Sequence, residues 1–166
     1  MELNGAKIGY GFTGSFCTLE KSFAEMERLA KLGAEVTPIM SGSVFETDTR
    51  FGKAKDFVRR AEDICGRPVM HKITQTELIG PKKLLDIMVV APCTGNTAGK
   101  LANGINDTPV TMAVKATIRN NKPIVIAVST NDGLWGSAKN IGMLMNYKNY
   151  FFVPFDEEPP NAVHYS

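Results

Sequence analysis

What most constrains this chain is the alternation of short apolar runs with stretches whose apolar residues recur at helical spacing. Lys7 to Phe12 reads as a first strand. Leu19, Phe23, Met26 and Ala30 then share one helical face, with Gly33 as a stop. Glu35 to Met40 makes a second strand. A second amphipathic helix follows through Ala54, Phe57, Val58, Ala61 and Ile64 and ends at Gly66. Pro68 to Met70 reads as a weak third strand, and Pro81 stands where a helix could begin. Ile87 to Ala91 is nearly all apolar, as expected of a parallel strand covered on both faces. Thr97 to Asn103 and Pro109 to Asn120 read as helices around a turn at Asn106-Asp107. Ile124 to Ser129 is another buried strand, Ile141 to Tyr147 a helix, and Tyr150 to Val153 a last strand. Strand and helix thus alternate about five times, which predicts an α/β fold with an open, mostly parallel sheet and helices on both faces.

A length of 166 residues fits one domain. We assign it to residues 1–155 and expect an irregular tail over 156–166, which includes Pro159-Pro160. A formal net charge of +2 is too weak a bias to point to nucleic acid or a membrane surface. The longest strongly apolar stretch, Ile87 to Pro92, is too short to span a bilayer. The first residues lack the basic and apolar regions of a signal peptide, so an intracellular, cytoplasmic protein is expected. Cys17, Cys65 and Cys93 are widely spaced with no Cys-x-x-Cys pair, and His71 and His164 are the only histidines. Neither a disulfide framework nor a metal site is indicated.

Ligands of open α/β sheets bind at the carboxyl ends of the strands, and the informative motifs fall there. After strand one, Gly9, Gly11 and Gly14 satisfy a G-x-G-x-x-G spacing. Gly9 lies inside the strand, however, and Ser41-Gly42-Ser43 lacks the acidic residue that would hold an adenosine ribose. The alternative is a shorter loop, Gly11 to Ser15 with Thr13 and Gly14, facing a monophosphate at a helix N-terminus, with Ser41 and Ser43 adding hydroxyls. A plain strand-to-helix turn also remains open. After the fourth strand comes Ala91-Pro92-Cys93-Thr94-Gly95-Asn96-Thr97, where Asn96 or Thr97 could equally be helix caps and Cys93 packing. After the fifth, Ser129 to Trp135 could bind a flat heterocycle through groups such as Asn131, with Trp135 as a wall, or form a turn. Arg50, in Thr47 to Gly52, could hold a carboxylate through paired hydrogen bonds or lie on the surface.

Together the first loop and the Ala91 to Thr97 segment, continued by Lys100, Ala102, Gly104 and Asp107, resemble the flavoprotein family of FMN-dependent cysteine decarboxylases and flavin prenyltransferases. The resemblance implies a Rossmann-like, flavodoxin-like sheet that binds FMN between the copies of a homo-oligomer. It would set Gly14, Ser15, Ser41 and Ser43 near the phosphate, and Thr94, Asn96 and Thr97 near the ribityl chain or ring. The histidine of the decarboxylases is replaced here by Leu78. The arginine and glutamate of the prenyltransferases correspond to Met112 and Thr130. Both chemistries lack a principal residue.

Ser43 to Gly52, Ile79 to Lys82, Pro92 to Thr97 and Ser129 to Leu134 further resemble the lineage of this family that supplies the B component of dipicolinate synthases. That implies a sporulation role in the mother-cell cytoplasm and oxidation of a dihydrodipicolinate-level dicarboxylate to dipicolinate. It also implies a partner, the A component of the dipicolinate synthase, carrying NAD(P). Arg50, Lys82 and Lys83 are the candidates for balancing the substrate's carboxylates, and no general base stands out; Asp132 is one option. The alternatives are an FMN-dependent decarboxylase with a replaced histidine, or a non-catalytic accessory of the A component.

Overall fold

The computed structural model describes residues 3–158 and 162–166. Its strands are β1 (Lys7–Phe12), β2 (Glu35–Met40), β3 (Ile87–Cys93), β4 (Ile124–Thr130), β5 (Tyr150–Phe152), β6 (Phe155–Glu158) and β7 (Ala162–Tyr165). The helices are α1 (Leu19–Lys31), α2 (Gly42–Glu46), α3 (Ala54–Cys65), α4 (Ile73–Thr76), α5 (Gly95–Ala102), α6 (Pro109–Arg119) and α7 (Ala138–Asn146). The sheet has seven strands in the order β2-β1-β3-β4-β7-β6, with β5 also pairing with β4. The pairs among β1 to β5 are parallel; those made by β7 are antiparallel.

After Lys7 every residue of β1 is buried, but the two-sided burial expected of the next strands is incomplete: Ile87 and Val89 of β3 and Val125 of β4 are half-exposed on one face. Each face of the sheet carries its own core. On one, Leu19, Phe23 and Met26 of α1 and Phe57 and Ala61 of α3 pack on Tyr10, Phe12 and Met40. Phe12 stacks on Phe23 with centroids 4.6 Å apart. On the other, α5, α6 and α7 bring Leu101, Val110, Val114 and Leu144 against Met88, Val90, Ile124 and Ile126. Burying each such side chain contributes about 1.5–3 kcal/mol. Gly66 ends α3 with a left-handed φ of 64°, its N–H donating to the Glu62 carbonyl at 2.8 Å.

Some expectations are corrected. No helix starts at Pro81; residues 81–83 form a turn leading into β3. The weak strand at Pro68 to Met70 is reduced to a single bridge between Met70 and Ile39 on the outer edge of β2. Pro38, which has no N–H to donate, sits on that edge strand, where it is tolerated. The tail is not irregular, since β6 and β7 form an antiparallel pair and β7 adds to the end of β4, Ser129 opposite His164. Its order comes from pairing with a distant strand, which local periodicity does not register. Pro159-Pro160 lies outside the described residues.

Candidate functional site

Beyond the carboxyl ends of β1, β3 and β4 lies a cavity of about 540 Å³. The loop after β1 supplies Gly14, Ser15, Phe16 and Cys17; the segment after α2 supplies Arg50 and Phe51. Thr94, Gly95 and Asn96 enter after β3, and Ser129, Thr130, Asn131 and Asp132 at the end of β4. His164 of β7 completes the lining. The volume lies within the range usual for small-molecule sites.

Hydroxyl groups join the segments. Thr13, only 2% exposed, donates through Oγ1 to the Pro92 carbonyl at 2.7 Å and accepts the Thr94 N–H at 3.0 Å, which ties the first loop to the end of β3. Ser15 Oγ and Ser129 Oγ are 2.7 Å apart, and Thr18 Oγ1 lies 3.2 Å from each. Thr94 caps α5, its Oγ1 accepting the Thr97 N–H at 3.2 Å. The Asp132 carboxylate accepts hydrogen bonds from Thr130 at 2.6 Å and Ser137 at 2.7 Å, and these hold its pKa below the usual carboxylate value. A methyl group on Gly95 would overlap Ser137 Oγ and come within 2.8 Å of Thr130 Oγ1, so only glycine lets α5 approach this cluster. The Arg50 guanidinium lies 4.9 Å from the centroid of the Phe51 ring.

Of the candidate ligand residues, Gly14, Ser15, Thr94, Asn96, Asn131 and Arg50 share this cavity. Gly11, Thr13, Ser41, Ser43, Pro92 and Thr97 are not in its lining. Gly11 is a packing glycine: a Cβ there would meet Met88 at 2.8 Å and Val110 at 3.0 Å. Gly9 likewise faces Leu85 and Met88, so the dinucleotide-type spacing reflects close strand packing. Thr13 and Pro92 bond each other, and Thr97, 7% exposed, bonds the Thr94 hydroxyl at 2.9 Å. Ser43 stands behind Gly14, within 3.0 Å of where a Cβ would be, and its Oγ pairs with that of Ser41 at 2.9 Å.

Lys82 and Lys83 do not join Arg50. They lie in the turn before β3, and Lys82 lines a separate cavity with Lys7, Glu35 and Leu78 at the amino ends of the strands. Trp135 is 74% exposed and does not wall the cavity; Phe16 and Phe51 supply its aromatic surface. Cys93 is packing, its thiol fully buried and its pKa pushed up to about 12 by that burial. Cys17, Gly95 and His164 went unassigned by sequence reasoning. Gly95 lay within a recognised motif, whereas His164 carried no local signal.

The comparisons with known proteins agree with this architecture. The chain is 48% identical over 158 residues to the B subunit of dipicolinate synthase from Bacillus subtilis (strain 168), covering 95% of this chain and 79% of that protein. The crystal structure of the B subunit of dipicolinate synthase from Bacillus halodurans C superposes with a TM-score of 0.89 at 43% identity, covering 99% of this chain and 87% of that one. The Burkholderia xenovorans protein DmrB, in complex with FMN, shares the fold alone, with a TM-score of 0.72 at 19% identity over 89% of this chain and 87% of its own. With the family pattern matching residues 1–161, the chain belongs to the flavoprotein family.

Proposed function

We propose that this chain is the flavin-binding B component of a dipicolinate synthase, which oxidises a dihydrodipicolinate-level precursor to pyridine-2,6-dicarboxylate together with a nicotinamide-carrying A component. The observation that carries this reading is one cavity holding Gly14, Ser15, Thr94, Asn96, Asn131 and Arg50, in a chain 48% identical to a B component of that enzyme. Its polar floor, the side-chain-free Gly14 and Gly95, and the aromatic surface of Phe16 and Phe51 fit a phosphorylated, flat heterocycle. In this reading Ser15 meets the phosphate, and Thr94 and Asn96 meet the ribityl chain. Asn131 bonds the ring edge. Arg50 holds one substrate carboxylate, its guanidinium resting beside the Phe51 ring. When bound, the flavin supplies a two-electron hydride acceptor. Work in the mother-cell cytoplasm during sporulation and assembly into a homo-oligomer are parts of the same proposal.

The test is an absorbance spectrum of the purified chain followed by titration with FMN. Saturable uptake with flavin bands supports the assignment. Absence of uptake, both alone and in complex with the A component, would leave an accessory protein that keeps the fold without the cofactor.

A further inference from the structure

We infer that His164 is the proton-transfer residue of this cavity, with Asp156 directly across from it on the neighbouring strand. The inference rests on the oxidoreductase reading above and supplies the base which that reading lacks. In the antiparallel register His164 stands opposite Asp156 of β6 on one side and Ser129 of β4 on the other. Residues directly opposite project from the same face with Cβ atoms roughly 4.5–5.5 Å apart, so the three form a row across the strands. Ser129 anchors that row at the cavity floor through its contact with Ser15. His164 itself is half-exposed and lines the cavity.

Its neighbours in β7 hold it there. Val163 is buried against Gly133, where a Cβ would overlap the valine side chain. Tyr165, also buried, donates its hydroxyl to the Thr18 carbonyl at 3.2 Å. A side chain between two such anchors is pre-positioned, which catalysis by proton transfer requires. Among the described residues, the ionisable groups facing His164 are Asp156 across β6, and Asp132, Arg50 and Cys17 across the cavity. Arginine does not give up its proton in proteins. Asp132 already accepts two hydroxyl hydrogen bonds and is a weakened base. An imidazole both accepts and releases a proton near neutral pH.

Aromatisation removes two hydrogens from the dihydropyridine ring. The flavin, when bound, would supply the two-electron acceptor for one of them with its bonding pair. The other leaves as a proton to the unprotonated nitrogen of His164, and the electron pair of that C–H bond becomes the new ring double bond. The imidazolium then returns its proton to solvent.

The experiment compares His164→Gln and Asp156→Asn with the unsubstituted chain in the complex with the A component. In His164→Gln, kcat falls about 10²–10⁴-fold, the limb of its pH profile due to this base disappears, and FMN uptake is kept. In Asp156→Asn the limb is displaced and not lost. A second arm follows the histidine ring signals of the unsubstituted chain by NMR as pH is varied, so it decides the matter even where a variant fails to fold. Added pyridine-2,6-dicarboxylate moves the His164 midpoint upward and leaves His71, stacked on Phe45 outside the cavity, unmoved. Wild-type kcat and pH profile in His164→Gln, or a His164 midpoint indifferent to the dicarboxylate, overturns the inference. A chain that takes up no FMN while its His164 midpoint still responds refutes the flavin reading and supports this one.

Discussion

Thr13 and Arg50 are the residues where structural and functional roles separate most cleanly. Both hydrogen-bonding capacities of the Thr13 hydroxyl are taken by Pro92 and Thr94, so Thr13→Val leaves a carbonyl and an N–H at the end of β3 without their partner. We expect that variant to lose about 1–3 kcal/mol of stability in urea unfolding. Arg50 has no such structural duty. Arg50→Ala is expected to keep wild-type stability and FMN uptake while weakening dicarboxylate affinity about 10-fold or more, the loss of a charged hydrogen bond, measured by titration calorimetry. The thiols report on the same cavity. Cys17 is exposed in its lining, Cys65 has a pKa raised to about 11 by burial, and Cys93 is fully buried. At pH 8 a chromogenic disulfide reagent should therefore modify Cys17 first, Cys65 more slowly and Cys93 only on unfolding, and saturating FMN should slow the Cys17 reaction.

Among the elements, the β6–β7 hairpin and the loop after β4 depend on each other. Val163 fits only because position 133 has no side chain. Gly133→Val should displace β7 and with it His164, seen as faster hydrogen exchange at the β7 amides while β1 and β3 keep wild-type protection. In the same loop Asp132 is a stability sensor for acid. Its folded pKa is depressed, so its contribution is complete above the unfolded value of about 3.9 and fades as pH falls through the folded value. Asp132→Asn should therefore lower the urea midpoint at pH 7, and the gap from wild type should close as pH falls through that range. These elements also mark how far the sequence could be read. β1 to β5 and the long helices were legible because alternation and amphipathic spacing are local. The hairpin was not, since its order derives from pairing with β4 across the chain. Lys82 and Lys83 lie apart from Arg50 for a geometric reason: in a parallel sheet the residues just before a strand lie at the end opposite those just after it.

At the scale of the whole molecule, two cores clamp the sheet and leave its carboxyl end to be closed by loops. Segments as distant as Ser15 and Ser129 meet there, and a ligand touching both favours the folded state by mass action. FMN at 100 times its dissociation constant is expected to stabilise the chain by about 2.7 kcal/mol, read as a rise in Tm. The cavity was harder to read than the fold, because the motifs marked loops that line it without showing which residues in them face inward. Thr97 and Asn96 are adjacent, yet one is buried against the Thr94 hydroxyl and the other lines the cavity.

The joins between these loops are mostly side-chain hydroxyls, Thr13 with Pro92 and Ser15 with Ser129, while the strands beneath are fixed by backbone ladders. Such a site is open to evolutionary tinkering. A single base change that swaps one serine or threonine alters which loop grips which, and so the shape offered to a ligand, without disturbing the sheet. One scaffold can in this way drift from one ligand to another while its sheet stays the same.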